Sequence, residues 1–281
     1  MSASEDFGAI MMAWAVRTPA IKALVLIGSR ERQTSDAVWR ADDQSDWDFQ
    51  VITSEPQVFA TKAWTSGLTG AELKVYAARV ARIGGVPKVN AIFAGAEADF
   101  VVLPAALMRT MKLAVALNLH RREGKVRRGL RDLAVVIRPG WRFLKGGETW
   151  DPLYRRVVAD VADARLGDEA ARGLADVFVC ESVWVRRKIE RGELLTAQRM
   201  IHRELAETNF RLLHELKLRR GERSFPEARR IERIAAEAEL SAVSVSATLE
   251  AEALRAALAK SAATLRELMT ALEGGSWRWP L

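Results

Sequence analysis

Asp46 and Asp48 stand one residue apart at the start of the apolar run WDFQVIT, and a third acid, Asp99, lies at the start of another, ADFVVLP. In a strand, residues i and i+2 share a face, so the first two acids present their carboxylates together while Trp47 and Phe49 turn into the core. Neighbouring carboxylates repel, and burying them uncompensated is costly. A divalent ion such as Mg²⁺, which takes hard oxygen ligands, suits the pair, and a neighbouring strand would bring Asp99 to the same edge. Upstream, LVLIGSR is a buried-strand pattern that ends in Gly28, Ser29 and Arg30. Gly28 lets phosphate oxygens approach the backbone, the Ser29 hydroxyl and N–H can donate to them, and Arg30 can add a charge-assisted contact. A phosphate-binding turn beside a metal-binding acid pair makes a coherent site for nucleotidyl transfer, in which pyrophosphate leaves as a hydroxyl attacks in line.

Each piece alone has a plainer explanation. Gly-Ser turns are common, and an acid pair at a strand edge is more often solvated than metal-bound. Their order along the chain, with a third acid on a later strand, is what gives them weight.

The elements that must carry these residues come in two blocks. Up to about residue 103 the apolar runs are short and rich in β-formers: KALVLIG, WDFQVIT, LKVYAARV, KVNAIFAG and ADFVVLP. From about residue 155 the chain turns to long Ala, Leu, Glu and Arg-rich stretches with helical spacing, such as Leu205, Phe210, Leu213 and Leu216, and again Leu249 to Leu272. Strands followed by helices predict an α+β fold, an N-terminal sheet domain over residues 1–150 and a mainly helical domain over 151–281. RPGWRFLKGGETWDP supplies Gly and Pro at the join, where its aromatics could pack between the domains rather than form a free linker. Before the first strand, Phe7, Ile10, Met11 and Trp14 share an amphipathic period, with Ser4 as a cap and Pro19 beyond the end. The terminal GGSWRWPL reads as a tail that docks or frays.

The 281 residues are 49% hydrophobic and 28% charged, an ordinary globular composition with material for two domains. The lone cysteine, Cys180, excludes an intrachain disulfide, and three scattered histidines offer no Cys/His zinc site. Glu5 and Asp6 stand where a signal peptide carries positive charge, and no apolar run is long enough to span a membrane, so a cytoplasmic setting without membrane contact is expected. A net charge of +7 raises nucleic acid as a partner. The arginines, however, interleave with glutamates in RRKIERGELLTAQRMIHRELAETNFRLLHELKLRRGERSF, a pattern read as a solvated helix face.

GSR, SDWDFQVIT and ADFVVLP together resemble the signature of the nucleotidyltransferase superfamily: a Gly-Ser turn, an Asp-x-Asp strand and a later third acid. Within it, the chain looks like the aminoglycoside 6-adenylyltransferase (streptomycin adenylyltransferase) family. ADFVVLP is similar to that family's Asp-Leu-Thr-Leu-Leu-Pro segment, PQVFATKAW to its helix after the Asp-x-Asp strand, and FVCESVWVRRKIERGELLTAQRMIHREL to a segment of its helical half. The resemblance implies a mixed β-sheet catalytic domain with flanking helices and a helical substrate-binding domain. It also implies ATP phosphates held by Gly28, Ser29 and Arg30, and Mg²⁺ bound by Asp46 and Asp48. Asp99 would be a further metal ligand or the activator of the acceptor hydroxyl. Arg187 falls where relatives carry a basic residue on the first long helix of the second domain and would reach the triphosphate across the cleft, although a surface arginine is at least as good a reading. Glu181 is a base beside the cleft or, more simply, a helix-surface acid.

Two features depart from that pattern. The stretch between Arg30 and Asp46, with Arg32, Asp36, Trp39, Arg40, Asp42 and Asp43, is longer than expected. An aminoglycoside is a polycation, yet this chain is basic, so an acidic pocket from Asp36, Asp42, Asp43 and Glu181 would have to receive it. Two classes therefore stand: an enzyme that transfers AMP from MgATP to a hydroxyl of a small molecule, with an aminoglycoside as acceptor, or a different use of the fold. The latter covers a non-catalytic nucleotide-binding module and a toxin-like transferase acting on RNA or protein.

Overall fold

The computed structural model describes residues 3–32, 41–42, 44–81, 84–121, 124–162, 165–225 and 229–281, which fall into two compact units, 1–164 and 165–281. The first is built on a six-stranded sheet. Its strands are β1 (Ile21–Ile27), β2 (Trp47–Thr53), β3 (Leu73–Val80), β4 (Pro87–Phe93), β5 (Ala96–Pro104) and β6 (Trp141–Lys145), in the order β3-β4-β5-β2-β1-β6. Among the described residues only β2 and β5 pair in parallel, so the sheet is mixed and the fold is α+β.

The two-residue period decides which side chains go to which face. Leu24 and Leu26 of β1, Trp47, Phe49 and Val51 of β2, Val89, Ala91 and Phe93 of β4, and Phe100 and Val102 of β5 face one layer. That layer is closed by helix α1 (Ala3–Arg17), which inserts Phe7, Met11 and Trp14. Phe59 and Trp64 join it from two 3₁₀ turns, Pro56–Ala60 and Lys62–Gly67. Each such side chain removed from water contributes about 2 kcal/mol. The helix expected over PQVFATKAW is thus two short turns. Thr61 between them is extended, and its hydroxyl accepts from the Ala63 N–H to start the second.

The alternate residues, Ala23, Val25 and Ile27 of β1, Ile52 of β2 and Leu103 of β5, face helices α2 (Ala105–Ala116), α3 (Lys125–Ile137) and α4 (Gly147–Asp160). The stretch expected as a join is not a connector: Trp141–Lys145 adds β6 beside β1, and α4 buries Trp150, Leu153, Tyr154 and Val157 in the same unit. The expected boundary at 150/151 falls inside α4.

The second unit is helical. It comprises α5 (Asp168–Glu190), α6 (Leu194–Met200), a π turn (Ile201–Leu205), α7 (Ala206–Arg219), α8 (Ile231–Ile234), α9 (Glu237–Val243) and α10 (Ala251–Leu272). Its core gathers Phe178, Val185, Ile201, Leu205, Leu212, Leu265 and Met269. The C-terminal tail docks: Trp277 and Trp279 pack against this core, and the Arg266 guanidinium sits 4.4 Å from the Trp279 ring centroid. The segment expected as a solvated face in fact buries Glu215 and Lys217. No helix among the described residues is long and apolar enough to cross a membrane.

Candidate active site

β1 ends in a turn at Gly28, whose φ of +78° is a left-handed conformation that favours glycine. Space demands glycine as well, since a Cβ there would lie 2.2 Å from Asp48 Oδ2. Ser29, in the short 3₁₀ turn Gly28–Glu31, is buried. The Gly-Ser turn therefore packs directly under one of the paired acids.

The acids come together as their spacing predicts. β1, β2, β5 and β4 align Ile27, Asp48, Asp99 and Asn90 along one rung of the sheet. Asp48 and Asp99 share a face with Gln50 and Val101. Asp46 precedes β2, and one carboxylate oxygen from each of Asp46, Asp48 and Asp99 lies within 4.8 Å of the others. Asp46 is exposed and the other two are half-buried. Below them on the same face the buried Gln50 accepts a 2.7 Å hydrogen bond from the Tyr154 hydroxyl, which fastens α4 to β2. Burial holds that hydroxyl far above its ordinary pKa, so it remains a donor.

An all-oxygen donor set, close enough to converge on one point and partly open to water, fits a divalent ion of the Mg²⁺ type.

Arg30 does something not foreseen. Its Nε donates to the Asp46 carbonyl at 3.0 Å and its Nη2 to the Ser45 carbonyl at 2.5 Å, while its guanidinium lies 4.5 Å from the Trp47 ring centroid. It clamps the backbone that presents Asp46. Asp42 likewise builds the approach: its Oδ1 accepts from the Gln44 N–H and the Ser45 hydroxyl. Asp36, Trp39, Arg40 and Asp43 lie outside the described residues. A hollow of about 290 Å³ beside Asp46 is lined by Arg30, Ser45, Trp47, Phe93 and Glu97 among others.

Two residues of the site escaped the sequence reading. Lys88 Nζ lies 2.5 Å from Asp99 Oδ2, and the Asn90 amide donates to Asp99 Oδ1. The signal was present in KVNAIF, where Lys88 and Asn90 alternate with buried Val89 and Ala91. Arg187 and Glu181 belong to the second unit, both on α5. Arg187 is exposed and Glu181 is half-buried. Burial, followed by the nearby Glu204, pushes the Glu181 carboxyl above its ordinary pKa.

No family model matches the chain, and no curated protein matches it. Among solved structures it is similar to an aminoglycoside 6-adenyltransferase from Bacillus subtilis, at 12% identity and a TM-score of 0.40, over 100% of this chain and 94% of that one. It is also similar to a nucleotidyltransferase-like protein from Exiguobacterium sibiricum, at 14% identity and a TM-score of 0.35, over 94% of this chain and 74% of the other. Activity is therefore read from the site itself.

Proposed function

We propose that this protein is a nucleotidyltransferase that moves AMP from ATP to a hydroxyl of a small molecule, an aminoglycoside such as streptomycin being the acceptor. The observation that carries the reading is the convergence of Asp46, Asp48 and Asp99 beside the Gly28–Ser29 turn. Asp46, Asp48 and Asp99 would hold Mg²⁺, which when bound would offset the negative charge of the triphosphate.

The chain's own residues have separable tasks. Gly28, without a side chain, makes room for the Asp48 carboxylate, and its turn with Ser29 would offer backbone and hydroxyl donors to a phosphate oxygen. Arg30 fixes the main chain at Ser45 and Asp46 and so sets where the first carboxylate stands. Asp99 is held in place by Lys88 and Asn90 and would serve as a third ligand or accept the hydroxyl proton. The acceptor oxygen attacks the α-phosphorus, the bond from that phosphorus to the bridging oxygen breaks, and pyrophosphate leaves with the electron pair. The single thiol, Cys180, exposed and without a disulfide, suits a reducing cytoplasm.

Mass spectrometry of purified protein incubated with MgATP and a panel of aminoglycosides tests this directly. Addition of one AMP to a drug, lost in the Asp46→Asn, Asp48→Asn double variant, is the expected outcome. The net charge of +7 favours a second reading, an anionic macromolecular acceptor such as RNA. Pyrophosphate released from ATP only when RNA is added, with every drug unmodified, would replace the first acceptor with the second. No acid-dependent turnover of ATP with either acceptor would overturn the transferase.

A further inference from the structure

Helix α5 turns one face to its own core and leaves the other uncovered. Ala171, Ala175, Phe178, Val185 and Ile189 enter the helical core. Opposite them, steps of four, seven and eleven residues from Cys180 pick out a single stripe. Asp176, Gly173 and Glu169 stand on its N-terminal side, and Trp184, Arg187 and, just past the helix end, Arg191 on its C-terminal side, all of them exposed. Trp184 is 53% exposed and Val177, at the margin of the stripe, 52%. Gly173 weakens the helix interior, and a Cβ there would meet nothing within 4 Å, so packing inside the unit does not call for it. The charges are sorted along the stripe, acids before Cys180 and arginines after it, and none of the four has an ion-pair partner among the described residues. The helix dipole favours Glu169 and Arg187 at the two ends but does not reach Asp176.

We propose that this stripe is the interface of a two-fold dimer, in which α5 of a second copy lies antiparallel across it with Cys180 on the axis. A two-fold axis brings together residues equally far before and after Cys180. Glu169 then meets the partner's Arg191. Gly173 leaves room for the stem of the partner's Arg187, whose guanidinium reaches Asp176 one turn along. Trp184 covers the partner's Val177. At a shallow crossing of about 20°, the pairs farthest from the axis stay within reach of their long side chains. A parallel arrangement would set acid against acid. Burial of Trp184 and Val177 supplies attraction, and the charge pairs fix the direction. The stripe is small for a permanent interface, so the dimer is a salt-sensitive equilibrium with a dissociation constant on the order of 10 μM.

Sedimentation velocity of the full chain at about 100 μM and low salt is expected to show a dimer that dissociates as salt rises toward about 1 M. Glu169→Arg and Arg191→Glu should each weaken association about a hundredfold. The two changes together should restore it, because they recreate the pair only across the axis; within one chain the two residues lie about 30 Å apart along the helix. Trp184→Ala should weaken the dimer without touching a charge. Circular dichroism checks that each variant keeps its helices. A short bismaleimide gives the same answer without altering the interface: it should join two wild-type chains through their only thiol, Cys180, and leave Cys180→Ser single. A wild type that stays monomeric at about 100 μM and is not joined would overturn the proposal and leave the stripe to a partner of another kind. A dimer that neither charge reversal weakens, or that the double reversal fails to restore, would overturn it as well.

Discussion

Glu215 in the helical unit and Asp48 in the sheet unit are carboxylates partly or wholly withdrawn from water, and they stand among different neighbours. Glu215, 3% exposed, accepts from Arg165 at 2.9 Å, from Arg219 at 3.0 Å and from the Leu166 N–H at 3.0 Å. Arg219 in turn reaches Asp168 at 2.8 Å, so the network ties the start of α5 to the end of α7. Asp48 instead shares its site with two further acids. Buried charge that is matched by opposite charge holds a fold together. Like charges gathered at the open edge of a sheet cost stability, and a chain retains them where chemistry needs them.

The sharpest way to break this contrast is to neutralise one carboxylate on each side. Asp48→Asn should lower AMP transfer by roughly a thousandfold, about 4 kcal/mol in the barrier, while the melting temperature holds or rises. Full transfer at saturating Mg²⁺ would remove the acid pair from the mechanism. Glu215→Gln should do the reverse, costing about 3 kcal/mol of stability because Arg165 and Arg219 lose the buried carboxylate they share, which denaturant unfolding would show. Burial raises the Glu215 pKa, but the hydrogen bonds from Arg165, Leu166 and Arg219 outweigh it, and the net shift is downward. A depressed folded pKa gives stability that is complete above the ordinary carboxylate value and is lost as pH falls through the folded one. The difference between wild type and Glu215→Gln should therefore shrink on acidification below about pH 4.5. A difference that stays constant down to about pH 2 would show that Glu215 does not act through its charge.

The parts of this contrast that were legible in the sequence are those with a local period. Alternation in WDFQVIT placed Asp48 opposite Phe49, and the spacing of Phe7, Met11 and Trp14 marked the buried face of α1. What stayed hidden depends on partners far along the chain. Lys88 looks like an ordinary edge-strand lysine until the β4–β5 register brings it to Asp99. Glu215 and Lys217 have the same charge interleaving that a solvated helix would have, and only tertiary packing shows that they are enclosed. Flanking glycines and a proline disguised β6, a five-residue strand whose partner, β1, lies more than a hundred residues earlier.

Gly28→Ala sharpens the sheet side of the comparison by disturbing Asp48 without changing any charge. A Cβ meeting the carboxylate at 2.2 Å, on a backbone with φ of +78°, should cost about 2 kcal/mol of stability and most of the transfer activity together. Wild-type melting and wild-type transfer would mean that the turn yields, and that its contact with Asp48 does not set the site.

The smallest effect tests whether the helical unit obeys its own rule throughout. Glu181 on α5 lies near Glu204, whose buried Oε2 finds no hydrogen-bond partner among the described residues. Here the matched pattern of Glu215 gives way to two like charges, and the Glu181 pKa is raised, first by burial and then by Glu204. A carboxyl whose folded pKa is raised costs nothing while both states are protonated, and destabilises progressively as pH climbs from its unfolded value through its folded one. Glu181→Gln should therefore match the wild type near pH 3.5 and exceed it at neutral pH by less than about 1 kcal/mol. Thermal melts of the two proteins across that range would show the gap open with rising pH. A neutral-pH loss in the variant would mean instead that Glu181 has a stabilising partner, and that the helical unit matches its charges here too.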